Sequence, residues 1–275
     1  LKTAKTYLDR GAFSGIRIST RPDCIDEDIL ALLKKYGVTS IELGCQSMDD
    51  DVLFLNERGH TAAHCVNSCR LIRNCGFELG VQMMTGLYGD TDEKALQTAK
   101  KLIALKPDTV RIYPTVVLKN TALERLYNEG KYRAQTLEEA VNLCSRLLKM
   151  FNESGVRVIR LGLHSGGSVE EGYVAGAYHP AFRENCESRL YRESIENLLF
   201  ENGVQKGEVT VSVSPRYLSQ AKGQRKENIA YFKEHGYDIK IITQENIGQY
   251  EVRLERALSG RVESTEGITD DFKRN

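Results

Sequence analysis

Residues 39–61 read TSIELGCQSMDDDVLFLNERGHT, and the first part of this stretch decides the predicted fold. Side chains of a β-strand point alternately to its two faces, so Ile41 and Leu43 share one face while Glu42 and Gln46 share the other. A strand buried on both faces would be apolar throughout. We therefore predict a strand that packs on helices with its apolar face and borders a polar space with the other.

Three other apolar runs in the first 163 residues show the same alternation, and amphipathic helical patterns lie between the runs. Strands that alternate with helices form parallel sheets with right-handed crossovers. Because the polar face recurs from strand to strand, we predict an α/β fold in which residues 1–163 form a partial parallel (βα) barrel around a wet, ligand-holding lumen. The further residues predicted to face this lumen are Arg17, Ser19, Gly80, Gln82, Met84, Arg111, Tyr113 and Thr115.

The chain changes character after residue 163. Residues 164–180 are Gly-rich and lack periodicity, which predicts a linker or a loop across the barrel mouth. Residues 181–257 contain helical and strand patterns that predict a small α+β domain. Residues 258–275 are polar without periodicity, and we predict a disordered tail.

Composition excludes some classes of function. The chain has 275 residues, 41% of them hydrophobic and 28% charged, with a formal net charge of zero. This balance gives no overall attraction to nucleic acid or to a membrane surface. The sequence shows no apolar run near the ~18 residues of a membrane span and no signal peptide. Seven cysteines, an odd number, favour the reducing cytoplasm over a disulfide framework.

Four segments within residues 14–132 follow one another in an order and at a spacing typical of one enzyme family. They are IRISTRPDCIDEDILALLKKYGVTSIELGCQSMDDDVL, NERGHT, GFELGVQMMTGLYGDT and PDTVRIYPTVVLKNTALERLYNEGKY. In these segments the chain resembles the radical S-adenosylmethionine (SAM) superfamily. The resemblance is strongest to the branch of oxygen-independent coproporphyrinogen III oxidase and the catalytic subunit of the elongator complex.

This resemblance implies an enzyme in which a 4Fe-4S cluster reductively cleaves SAM to start radical chemistry. It implies that Gln46 and Gln82 hydrogen-bond the ribose of SAM, and that Arg58 pairs with the methionine carboxylate. The residues implied to frame the adenine are Met84, Tyr113, Thr115 and Val116. The plainer alternative is that Gln46 and Gln82 are strand-terminal polar residues with backbone partners.

The family's cluster ligands are absent from these 275 residues. Family members carry a Cys-x3-Cys-x2-Cys motif and a Gly-Gly-Glu-like stretch, and neither occurs here. Cys65 and Cys69 are four residues apart on one helical face, and Cys75 follows at a spacing that does not match the family motif, so we interpret these cysteines as core residues and expect no metal ligands in the chain. Since Leu1 opens inside a helical pattern, we expect a fragment that lacks the first two family strands, with an exposed sheet edge that favours self-association.

Within the C-terminal domain, residues 211–243 read strand, short helix, basic loop, helix and strand. This order resembles the KH fold of RNA-binding modules, in which a Gly-x-x-Gly loop clamps a nucleic-acid backbone. Here the loop is Gly223–Lys226, with Lys in place of the second Gly. We name Lys222, Arg225 and Lys226 as candidate RNA contacts. The alternative is a solvated, basic helix start, which the equal numbers of acidic and basic residues in 181–257 favour.

The resemblance therefore implies a radical SAM enzyme whose substrate is left open between tRNA, as in the elongator-like members, and a tetrapyrrole, as in the porphyrinogen oxidases. An RNA- or partner-binding fragment without activity is one alternative. Another is an unrelated (βα) barrel lyase or isomerase, which would need a poised His or a pair of carboxylates. Glu42 is the one acidic inward candidate on the central strands, and for His60 we expect a capping or surface role.

Overall fold

The computed structural model describes residues 1–164 and 166–259, which divide into two compact units between Leu190 and Tyr191. The strands of the first unit are β1 (Ile16–Thr20), β2 (Val38–Gln46), β3 (Glu78–Thr85), β4 (Thr109–Pro114), β5 (Val116–Leu118), β6 (Arg157–Leu161) and β7 (Tyr173–Gly176). Its helices are α1 (Lys2–Asp9), α2 (Glu27–Lys35), α3 (Asp50–Leu55), α4 (Ala62–Asn74), α5 (Asp92–Ala104), α6 (Ala122–Asn128), α7 (Leu137–Glu153) and α8 (Ser168–Gly172). Helix α9 (Phe182–Glu201) runs across the boundary.

The first unit is built on one parallel sheet. Its strands lie in the order β1-β2-β3-β4-β6, and every neighbouring pair is parallel. Within the described residues, β1 and β6 do not pair with each other, so the sheet is open at both ends. The α/β fold with an incomplete parallel barrel is therefore confirmed.

The apolar face of this sheet forms the core. Along β2 and β3, Ile41, Leu43, Leu79, Val81 and Met83 are fully buried. Most helices begin at a capping residue: the Asp26 side chain accepts a hydrogen bond from the Ile29 amide at 2.7 Å, and Thr61 and Thr136 each open a capping box. Such caps satisfy amide groups that a helix start leaves without partners. The alternation read from the sequence thus sets which face of each strand the helices cover.

The Gly-rich segment 164–180 differs from the linker or loop that the sequence predicts. Its described residues include α8 and β7, and β7 pairs antiparallel with β5, with Val116 opposite Gly176. Gly176 has a φ of 114° and lies against the backbone of the partner strand. Glycine at position 176 therefore allows the two strands to approach closely. The many glycines of this segment had suggested irregular structure instead.

The second unit is a small α+β domain. It contains the end of α9, then β8 (Gly207–Val213), α10 (Leu218–Lys222), α11 (Glu227–Glu234), β9 (Tyr237–Thr243) and β10 (Arg253–Ser259). Strand β8 is central, parallel to β9 and antiparallel to β10. Its core includes Tyr191, Ile195, Val211 and Phe232.

Two boundaries differ from the predicted ones. The first unit extends to Leu190, nine residues beyond the predicted domain start at residue 181, because α9 continues without interruption. Strand β10 includes residues 258 and 259, which the sequence placed in the tail. The rest of the predicted disordered tail, residues 260–275, lies outside the described residues. No helix within the described ranges has the length and apolar character needed to cross a bilayer.

Candidate functional site

The predicted lumen residues lie on neighbouring strands near their carboxyl ends. In the sheet register, Gly44 of β2 is opposite Gln82 of β3, and Met84 of β3 is opposite Tyr113 of β4. Gln82, Met84 and Tyr113 are partly exposed, while the residues that alternate with them are buried. The carboxyl ends of parallel strands are the usual ligand-binding edge of α/β folds. The structure therefore places these residues together on an open, accessible face.

Gln46 ends β2 in an unusual conformation. Its φ is 62°, in the left-handed region, and the strand stops there. Its side chain folds back along the strand, since a Cβ added at Gly44 would lie 2.7 Å from Gln46 Nε2. The residue is 8% exposed, and its buried Oε1 has no hydrogen-bond partner among the described residues. A buried acceptor without a partner is unfavourable by about 1–3 kcal/mol, so this atom is suited to a ligand hydroxyl.

Arg58 is a half-buried cation without an acidic partner in the described part of the chain. Its Nε is buried and has no hydrogen-bond partner there. Burial lowers the pKa of the guanidinium, and the positive charge of Arg21 lowers it further. A planar guanidinium in this state is suited to a carboxylate, which can accept two parallel hydrogen bonds.

Thr115 lies between β4 and β5 and is 5% exposed. Its amide donates to the Thr85 carbonyl at 2.9 Å, which fixes the backbone where β4 ends. Its buried Oγ1 has no partner among the described residues. Val116 follows as the first residue of β5. Three of the predicted ligand contacts, Gln46, Arg58 and Thr115, thus each present a buried polar atom that lacks a partner.

His60 joins the Arg58 loop to Cys45, the residue before Gln46, and its expected capping or surface role is wrong. It is 6% exposed, and the capping box of α4 is formed by Thr61 and His64. His60 Nε2 lies 3.0 Å from the Cys45 carbonyl and Nδ1 lies 3.2 Å from the Arg58 carbonyl. Carbonyl oxygens only accept, so both ring nitrogens donate when the imidazole is charged. His60 thereby ties the Arg58 loop to the end of β2.

Cys65 supports the charged form of His60. The hydrogen bond with Cys65 raises the pKa of His60, against the effect of burial. Hydrogen bonds from Cys45 and His60 lower the pKa of the Cys65 thiol to about 6. Cys65 and Cys69 are buried on α4, as their helical spacing predicts. The contacts with Cys45 and His60 depend on tertiary structure and had no signal in the sequence.

A polar cavity of about 440 Å³ lies beyond the end of β3. It is lined in part by Gly86, Asp90, Tyr132 and Gln135. Burial raises the pKa of Asp90 to about 6, and its Oδ1 has no partner among the described residues. Thr91, the next residue, caps α5, and its hydroxyl accepts a hydrogen bond from the Lys94 amide.

Two family models match consecutive parts of the chain. Residues 3–102 match the radical SAM superfamily, and residues 107–192 match the radical SAM C-terminal domain. The chain belongs to the radical SAM superfamily. Together the two matches include all seven residues expected to contact SAM.

Several curated proteins are similar to about half of this chain. A tRNA uridine(34) acetyltransferase of Dehalococcoides mccartyi is 35% identical over 137 residues, 48% of this chain and 30% of that protein. Elongator complex protein 3 of Mus musculus is 32% identical over 139 residues, 50% of this chain and 25% of that protein. An uncharacterized protein of Methanocaldococcus jannaschii is 36% identical over 129 residues, 46% of this chain and 39% of that protein. The chain thus spans well under half the length of these relatives.

A solved structure shares the fold. An Elp3 of Methanocaldococcus infernus with an N-terminal deletion matches with a TM-score of 0.61 at 23% identity, over 70% of this chain and 47% of that chain. At this identity the match establishes the fold alone. The shared fold is the α/β fold with a parallel sheet described above.

The polar atoms near the strand ends are suited to an organic ligand, whereas the described cysteines do not suit an iron–sulfur cluster. The partnerless atoms of Gln46, Arg58 and Thr115 suit a ligand with hydroxyl, carboxylate and heterocyclic groups. Cys65 and Cys69, in contrast, are packed on a helix, where thiolates cannot converge as in a flexible cluster loop. The described residues contain no group of three or more His, Cys, Asp or Glu side chains placed to hold a metal ion.

The candidate RNA loop lies in the second unit. Gly223 is buried with a φ of 77°, and Arg225 and Lys226 follow with φ of 51° and 63°. Arg225 and Lys226 are exposed, and Lys222 is partly exposed at the end of α10. Non-glycine residues adopt positive φ rarely, so the loop is held in a defined shape that presents two basic side chains.

Proposed function

We propose that this chain is the SAM-binding portion of a radical SAM enzyme. The observation that carries the proposal is that three of the buried polar atoms without a hydrogen-bond partner among the described residues belong to predicted SAM contacts: Gln46 Oε1, Arg58 Nε and Thr115 Oγ1. Leaving such atoms unpaired is unfavourable, and a ligand that pairs all three recovers this free energy.

Each residue has a defined role in this proposal. Arg58 binds the methionine carboxylate of SAM as a charge-assisted pair. Gln46 and Gln82 bind the ribose hydroxyls. Met84, Tyr113, Thr115 and Val116 hold the adenine by apolar contact and by groups at the strand ends. These residues bind and orient the cofactor, and they exclude water from it.

The 4Fe-4S cluster, when bound, supplies the electron for reductive cleavage of SAM. We place its ligands on residues outside these 275, because the cysteines present do not fit a cluster. We expect no reductive cleavage by the chain alone, whatever reductant is supplied.

The substrate class that we propose is tRNA. Two observations support it: curated relatives include a tRNA uridine(34) acetyltransferase, and the second unit presents a basic loop between α10 and α11. In this proposal Lys222, Arg225 and Lys226 contact the RNA backbone. A fragment that binds RNA or a protein partner without catalysis is the alternative, and failure to bind SAM would favour it.

Titration calorimetry with S-adenosylhomocysteine tests the site. The Gln46→Ala variant loses a neutral hydrogen bond, so we expect binding to weaken by about 0.5–1.5 kcal/mol. The Arg58→Ala variant loses a charge-assisted pair, and we expect a loss of about 1.5–3 kcal/mol, or roughly tenfold to a hundredfold.

Matched controls are available on the surface. Gln97 on α5 and Arg70 on α4 are exposed, and their alanine variants should bind like the wild type. Equal affinities for the wild type, Gln46→Ala and Arg58→Ala would show that the ligand does not bind where we place it.

A further inference from the structure

Glu42 is a fully buried carboxylate on the polar face of the sheet. It is 0% exposed and lies opposite Gly80 of the neighbouring strand. A Cβ at position 80 would lie 3.2 Å from Glu42 Cγ and 3.0 Å from Thr109 Oγ1, so glycine makes room for the carboxylate. A charge this deeply buried is stable only with close partners.

Its partners come from three other strands. Oε1 accepts hydrogen bonds from Ser19 Oγ at 3.0 Å and from Gln82 Nε2. Oε2 lies 2.8 Å from Arg111 Nε and forms an ion pair with it, but the two atoms do not have hydrogen-bond geometry, so the contact is electrostatic. Arg111 Nη1 in turn donates to the Tyr113 hydroxyl at 3.4 Å. One carboxylate therefore links β1, β2, β3 and β4, and it reaches two residues of the proposed SAM site.

These contacts determine which atoms of Gln82 and Tyr113 remain free to donate or to accept a hydrogen bond. An ionised carboxylate only accepts, so the Gln82 amide must turn its NH₂ group to Glu42, which leaves Oε1 to accept from elsewhere. Arg111 only donates, so it occupies a lone pair of the Tyr113 oxygen and leaves the phenolic proton to donate elsewhere. The site thus presents a fixed acceptor and a fixed donor.

We propose that Glu42 is a positioning residue that makes this site selective for a ribose over a deoxyribose. With Gln82 Oε1 held as an acceptor, a ligand hydroxyl gains a hydrogen bond that a deoxy analogue cannot make. The inference rests on the proposed function, since it assumes that the nucleoside of SAM binds at these strand ends. Glu42 thus affects ligand binding indirectly, because it holds the Gln82 side chain in one orientation.

The test compares ligands as well as variants. Calorimetry on the full chain measures the affinity for S-adenosylhomocysteine and for its 2′-deoxy and 3′-deoxy analogues. In the wild type we expect at least one analogue to bind about 3–10-fold more weakly, the value of one neutral hydrogen bond. We call the Kd of the deoxy analogue divided by the Kd of S-adenosylhomocysteine the ratio. In Glu42→Gln we expect this ratio to fall toward one, mainly because S-adenosylhomocysteine binds less tightly.

Two further variants separate positioning from general damage. Glu78→Gln removes a carboxylate from the amino end of β3, where it pairs with Arg17 and Arg157, and should leave the ratio unchanged. In a Gln82→Ala background, Glu42→Gln should change the ratio no further. If Glu42→Gln does not fold, Gly80→Ala crowds the same carboxylate without removing its charge, and it should also lower the ratio.

The outcomes distinguish this inference from the proposed function. A wild-type chain that binds no S-adenosylhomocysteine overturns both. A wild type that binds it, with the same ribose preference in Glu42→Gln or Gly80→Ala, overturns the positioning role and leaves the proposed function standing. A ratio that falls equally in Glu78→Gln also overturns the positioning role.

Discussion

At the scale of single residues, the candidate site is marked by polar atoms that the fold buries and leaves unpaired. The sequence predicts which residues face the lumen, because side-chain alternation along β2, β3 and β4 depends only on local geometry. It does not predict that Gln46 Oε1 and Thr115 Oγ1 lack partners. That property depends on every atom packed around them, so only the structure shows it.

Thr115→Val should stabilise the chain and weaken ligand binding. The substitution replaces a buried, unpaired hydroxyl by a methyl group of similar size, so we expect the free energy of unfolding to rise by about 1 kcal/mol. Urea denaturation measures the stability, and calorimetry with S-adenosylhomocysteine measures the binding.

Thr109→Val is the matched control for this prediction. Thr109 Oγ1 is also buried without a partner in the described part of the chain, but it lies at the start of β4, away from the strand ends. This variant should gain stability and keep its affinity. A Thr115→Val protein that binds as tightly as the wild type would exclude Thr115 from the site.

At the scale of elements, most of the parallel sheet and its helices could be predicted from periodicity and capping residues. The pairing of β5 with β7 could not, because the two strands are short, far apart in sequence and rich in glycine around β7. The link that His60 makes between the end of β2 and the Arg58 loop was missed for a similar reason. Such contacts join segments whose local sequence carries no sign of the partner.

The hydrogen bonds that Cys65 makes with Cys45 and His60 predict a buried thiolate at neutral pH. Because the pKa of Cys65 falls from 9.0 to about 6 on folding, its contribution to stability is full above pH 9.0 and is lost as the pH falls through about 6. We expect thiolate absorbance of the folded chain with a midpoint near 6, absent in Cys65→Ala.

Two variants test the origin of this shift. His60→Gln removes a hydrogen bond and a positive charge, so the midpoint should move up toward 9.0. Cys144→Ala should leave the titration unchanged, since burial raises the pKa of Cys144 to about 12. A wild-type chain without thiolate absorbance until pH 9 would contradict the lowered pKa of Cys65.

At the scale of the whole molecule, the described sheet is open and β1 forms one of its edges. Residues along β1 are alternately partly exposed and exposed. Strand edges with free backbone groups pair readily with other chains. We therefore expect the weight-average mass of this chain in sedimentation experiments to rise with concentration, and a constant monomer mass over the same range would contradict this.

The account depends most directly on where the ligand binds. A crystal structure of this chain with S-adenosylhomocysteine tests that position without any need for catalysis. We predict that the amino-acid carboxylate of the ligand pairs with Arg58, that its ribose hydroxyls contact Gln46 and Gln82, and that its adenine lies beside Met84 and Tyr113. A ligand bound elsewhere on the chain, with these side chains still unpaired, would contradict the central claim.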